Sequence, residues 1–311
     1  MERPHLLVDD VLRGYFADWS DLGEEKQTEF AWGIYSWTGN SESGRRVEIL
    51  FRDYTLGTAR QLFRKLELRS GTGTHGRGKL VPIHQYHFAR HPGLLAKTWQ
   101  LLYVLRIQTV TGIDLREELL SYYGVAAFQE CLDRLEADSE ALAMLVAGVN
   151  YVYLVRLLLL GGEVDSQKLV AKCLPQYDSD DLMHLKLRSY LYSHIVINES
   201  RFFNRPVLGG VRDDLLAIMN EADRFVKANL VNLSLDNKFE HLACMKYMGL
   251  ASRVADEIWA EAAVSVGANG RYYVDRWNVN PNKYPPSLRS ASHTMMFYIM
   301  ARSEPRFATV H

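Results

Sequence analysis

The side chains best suited to chemistry lie in the last 120 or so residues of this 311-residue chain. His194 sits in a strongly apolar stretch, LRSYLYSHIVINESRFFNRP, with Glu199 and Arg201 close behind it. In NLSLDNKFEHLACMKYMGL, Asn232, Asp236 and Glu240 follow one another at i, i+4 and i+8, which stacks them along one face if the helix reaches back that far. His293 opens a last apolar segment after Ser290, Ala291 and Ser292. Two imidazoles and two carboxylates suit proton transfer, provided that histidine and acid come within hydrogen-bond reach of one substrate. The same four residues, His194, Asp236, Glu240 and His293, are also the candidate ligands for a divalent metal, Zn or Mg. The oxygen donors suit the harder ion. The plain structural alternative is that Asp236 caps a helix and that each histidine is a hydrogen-bonded core residue.

Weaker patterns lie upstream. His84, His87 and His91 in PIHQYHFARHP share a helical face, and the His87–His91 spacing suits one metal. Prolines at 82 and 92 confine that helix, no carboxylate stands within the motif, and the glutamate of an HExxH protease is missing, so a partly exposed connector is expected. Asp178, Asp180 and Asp181 form a D-x-D-D string like that of the large alkene-protonating cyclases, whose acid is kept protonated by burial and neighbouring acids. An acidic helix start is favourable with the helix dipole and accounts for the string with no function at all. Gly78-Lys79 is followed by Leu80, so the hydroxyl of a phosphate loop is absent and no nucleotide cofactor is expected. In Gly267 to Pro286, the rings of Tyr272, Tyr273, Trp277 and Tyr284 could cover a cavity or, equally, simply pack on the surface. With Arg201 and Glu199, Tyr273 and Trp277 make up the candidate substrate contacts.

The elements that must position these groups read as helices. Apolar residues are 48% and charged residues 23%, an ordinary globular balance. With 36 basic and 37 acidic residues the net charge is −1, which gives no general pull towards nucleic acid or anionic membrane. Three scattered cysteines make neither a disulfide framework nor a cysteine-rich zinc site, and the N-terminus has no cleavable signal pattern, so a cytoplasmic protein is expected. Asn150 and Arg156 interrupt the apolar run from Ala141 to Gly162, which reads as a buried core helix and not a membrane span.

Leu6, Leu7, Val11, Leu12 and Phe16 mark a first helix, Phe30, Ile34 and Trp37 a second, and 46–68 a third. Further helices are expected over 93–110, 114–137, 139–161, 164–173, 180–203, 210–231, 235–249, 252–266 and 287–302. Asp165, Asp180 and Asp236 stand where N-caps would be useful. The expectation is one all-α domain over 1–311, with an N-terminal subregion 1–67, a flexible loop 68–82 and a main body 83–311. Its antiparallel helical hairpins would close into an α/α toroid or stack as a solenoid.

Three of the segments, HIVINESRFF, DNKFEHLACMKYMGL and SASHTMMFYIMA, resemble in order and rough spacing the motifs of a bacterial all-helical family of unknown function, often encoded beside specialised-metabolism genes. In that family a helix carries His and then an acid seven residues on, an Asp-x-x-x-Glu helix follows, and a late Tyr-His comes last. His194, Asp236, Glu240 and His293 match. Arg201 replaces the first acid and Ser292 the tyrosine. An arginine there opposes a cation and favours a carboxylate or phosphate. The 232–240 segment also resembles the second Mg-binding motif of ionising terpene cyclases, with Asp236 in place of the usual hydroxyl residue and no aspartate-rich partner helix in view.

The first expectation is a small-molecule biosynthetic enzyme that uses His194, Asp236, Glu240 and His293 for acid–base work of the cyclisation or elimination type, with or without a divalent metal. A non-catalytic helical scaffold for a peptide or protein and a divergent isoprenoid cyclase using Asp180 or Asp236 are the alternatives. The expected partner is a small-molecule substrate, not nucleic acid or membrane, and an oligomer is compatible with the sequence.

Overall fold

Helical periodicity in the sequence becomes helix almost throughout. The computed structural model describes residues 6–71, 74–75, 78–79, 82–267, 271–273 and 287–307, and the fold is all-α. The only paired strands among these residues are a two-residue ribbon, Thr74–His75 against Gly78–Lys79, within the stretch expected to be loop, and an isolated bridge between Val266 and Tyr273. No helix among the described residues is long and apolar enough to cross a membrane.

Backbone contacts divide the chain into two compact units, residues 1–47 with 200–311 and residues 48–199. The first unit opens with α1 (Val8–Ala17) and α2 (Glu24–Thr38). The second unit contains α3 (Leu94–Thr111), α4 (Val146–Val155) and α5 (Leu182–Glu199) among its helices. The chain then returns to the first unit with α6 (Gly209–Ala228), α7 (Leu235–Tyr247), α8 (Ala255–Val264) and α9 (Leu288–Arg302).

Three expected helices are broken, each for a local reason. The stretch 46–68 is two helices, Ser41–Phe51 and Ala59–Gly71, because Thr55 and Thr58 cap each other around a 3-10 turn. The stretch 114–137 divides at Gly124, whose φ of 80° suits glycine and ends the helix. The apolar run 139–161 breaks at the extended Leu145 and finishes in a π-turn, Arg156–Leu160. N-cap expectations are also revised. Asp165 does cap its helix, accepting from Lys168 N. Before α5 the helix start is held by Asp181, which accepts from Met183 N and His184 N, whereas Asp180 gives its amide to Asp178. Ser234, not Asp236, caps α7.

Within the first unit, α2, α7 and α9 run side by side in the same direction. Early in the helices His293 meets Glu29 and Asp236, while at the far end Trp37 Nε1 donates to Ser303 O and Lys246 pairs with Glu304. Their amino ends therefore share one side, where helix dipoles favour negative charge. Gly33 allows the close approach of α2 to α9, since a Cβ there would come within 2.3 Å of Met296 Sδ. The start of α9 is fixed by a reciprocal cap between Ser287 and Ser290. Past the opposite ends, Arg201, Phe202 and Phe203 take φ of 50°, 57° and 65° in succession. Left-handed backbone costs about 1–2 kcal/mol per ordinary residue. Phe203 offsets it by burying its ring against Trp37 and Tyr247, and Phe202 by packing on Trp32.

Candidate functional site

Asp236 is the second residue of α7, and Glu240 lies one turn further along the same face. His293 reaches them from α9. Each of the three offers a ligand atom, and these atoms lie within 4.8 Å of one another. Asp236 Oδ1 accepts two hydrogen bonds, from His293 Nδ1 at 2.9 Å and from Thr294 Oγ1 at 2.8 Å. Its carboxylate thus holds the proton on Nδ1 and turns Nε2 of the same ring outward. Nε2 faces Glu29 Oε1 at 3.8 Å, too far for a hydrogen bond but near enough for a strong electrostatic effect. Lys26 steadies Glu29 by donating to Oε2 at 2.6 Å.

Burial differs across this group. Glu240 is fully buried and the Asp236 side chain is 13% exposed. His293 is densely surrounded by protein, yet 31% of its side-chain surface is open, so it borders accessible space. Burial alone pushes the imidazole towards neutrality. The carboxylates of Asp236 and Glu29 outweigh it, Lys26 opposes them, and the ring is raised to about 9. At neutral pH it is an imidazolium, a proton donor within a cluster of acids.

Three of the four expected centre residues are therefore brought together. The fourth, His194, belongs to the other unit, where its Nδ1 lies 2.9 Å from Asn150 Oδ1, and Asn198 donates to the same oxygen at 2.7 Å. Asn150, an interruption in the apolar run, is the partner that this imidazole needs. Asn232 ends a 3-10 turn before α7 begins, so it is not on the helix with Asp236 and Glu240.

The expected substrate contacts are also placed. Glu199 is buried and accepts from Ser166 Oγ at 3.0 Å, and Tyr153 OH lies 2.8 Å from the same hydroxyl. Arg201 opens the left-handed turn, and burial lowers its pKa. Tyr273 is buried against Phe239 and Tyr298, a core position and not a cover. Trp277 and Tyr284 lie outside the described residues.

His87 and His91 are buried, not partly exposed. His91 Nε2 lies 2.9 Å from Asp138 Oδ2, so a carboxylate missing from the local motif comes from elsewhere in the chain, and Asp138 also caps the helix Ser139–Met144. Asp178, Asp180 and Asp181 are exposed. The backbone hydrogen bond from His184 holds the Asp181 carboxyl below its usual range, the opposite of what an alkene-protonating acid requires.

Sequence reading missed Glu29, Lys26 and Thr294. Glu29 directly precedes Phe30 at the edge of an apolar face, and Thr294 directly follows His293. Neither position carries a signal until α2 and α9 are seen to lie side by side. No protein-family model matches the chain, and no curated protein or solved structure shows significant similarity to it.

Proposed function

We propose that the chain is an enzyme of small-molecule biosynthesis that moves a proton at Nε2 of His293. The observation that carries this reading is the His293–Asp236 pair. Asp236 binds Nδ1, and Nε2 is left facing Glu29 beside accessible space. Asp236 is a positioning residue that sets the tautomer and stabilises the imidazolium. The protonated ring is the general acid. Glu29, partly exposed beside Nε2, supplies a carboxylate at the same opening, so one substrate could lose a proton to one group and gain one from the other. Acid–base cyclisations and eliminations both use that pairing. The substrate is a small organic molecule, and the cellular setting is bacterial specialised metabolism, as the resemblance of the C-terminal segments suggests. The parallel run of α2, α7 and α9 is consistent with the inner layer of an α/α toroid, whose cavity is the natural place for such a ligand.

The test is comparative metabolite profiling. Cell extract incubated with purified wild-type protein is expected to lose some compounds and gain others. The folded variants His293→Gln and Asp236→Asn are expected to leave those compounds unchanged. Identical profiles for the wild type and both variants overturn the enzymatic reading.

A further inference from the structure

The geometry points to a hard divalent cation, Mn2+ or Mg2+, held by one oxygen each of Asp236 and Glu240 and a ring nitrogen of His293. It concerns the site of the proposed function, where ion and proton are alternative occupants of the imidazole, because a ring that holds a cation is not protonated at the ligating nitrogen. Spacing of i, i+4 on α7 puts the two carboxylates one turn apart on one face, and α9 brings the imidazole against them. Three ligands about 2.1 Å from a common ion lie within about 4.2 Å of one another. The ligand atoms here lie within 4.8 Å, so small side-chain rotations close the shell. Two carboxylates to one imidazole is a harder donor set than the nitrogen- and sulfur-rich sets typical of zinc.

Two further features suit an ion. Thr294 donates to Asp236 and fixes a carboxylate that would otherwise rotate, as the outer partners of metal ligands do. The 31% exposure of His293 gives the ion a way in and leaves coordination positions for water and substrate. Glu29 stands beside the group without belonging to it and adds to the negative field.

The experiment titrates chelator-stripped full-length protein with Mn2+, following free Mn2+ by electron paramagnetic resonance, with Mg2+ and Zn2+ as competitors. One Mn2+ per chain is expected. Asp236→Asn, Glu240→Gln and His293→Gln should each weaken binding by about tenfold or more. Glu29→Gln should weaken it less than any of these, as a charge outside the ligand set. His194→Ala, altered in the other unit, should bind as wild type does. Circular dichroism confirms that each variant is folded, and the near-isosteric Glu240→Gln keeps the comparison valid if another variant is not. Absence of Mn2+ binding at millimolar concentration, or equal binding by the folded ligand variants, overturns the proposal. Binding of Zn2+ alone overturns the hard-ion assignment. If no ion binds while His293→Gln still abolishes turnover, the metal fails and the proton chemistry stands. If Mn2+ binds as expected while metabolite profiles never change, the enzymatic reading fails and the metal site stands.

Discussion

Replacing Asp236 with asparagine keeps the size of the side chain and removes its charge, which isolates what the carboxylate does to His293. The wild-type ring is raised from 6.5 to about 9, against the opposing effect of burial. Each pH unit of such a difference is worth about 1.4 kcal/mol. Discounted for solvent on a side chain 31% exposed, the imidazolium contributes about 2 kcal/mol to stability. Because the folded value lies above the unfolded one, that contribution is complete below about pH 6.5 and is lost as pH rises through about 9. Urea unfolding with chelator present should therefore show Asp236→Asn destabilised by about 2 kcal/mol at pH 6, with the deficit shrinking by pH 9.5. Nitrogen-15 imidazole spectra should show His293 titrating near 9 in the wild type and at least about one unit lower in the variant. A wild-type ring that titrates at 6.5 or below, or a deficit that is the same at both pH values, refutes the electrostatic account of this site.

Other outcomes follow from the first unit's packing. Asp223 is buried, and hydrogen bonds from His241, Ser252 and the Arg253 amide hold its carboxyl at about 2 in spite of burial. Its contribution is thus present above about pH 4 and lost as pH falls towards 2, and Asp223→Ala should cost about 3 kcal/mol in chemical denaturation at pH 7. Gly33→Ala forces a methyl group onto Met296 and should cost about 1–3 kcal/mol in the same assay while weakening Mn2+ binding, because it moves α9 and with it His293. Ser287→Ala removes the cap of α9 and should lower stability by about 1 kcal/mol. Arg201→Gly relieves a left-handed residue, and its melting temperature should be unchanged or higher; a marked fall would contradict the strain assigned to that turn.

Periodicity and composition alone determined the all-α class and the place of most helices, because apolar spacing at 3.6 residues is a local property of the chain. Spacing also singled out Asp236 and Glu240, since i, i+4 neighbours share a face whatever surrounds them. Helix ends were less legible. Leu145 breaks an apolar run, and Ser234 outcompetes Asp236 as a cap, through short-range contests that a hydrophobic pattern does not record. Which polar residues meet was decided only by the tertiary structure. His194 and His293 look alike in sequence, each an imidazole in an apolar helix, yet one pairs with Asn150 and the other with Asp236. Glu29 and His293 are separated by more than 260 residues and become neighbours only because α2 and α9 run in parallel and pack closely at Gly33. Local pattern can state what a helix has to offer. The partner across the interface depends on the packing of the whole unit, and no single segment encodes it.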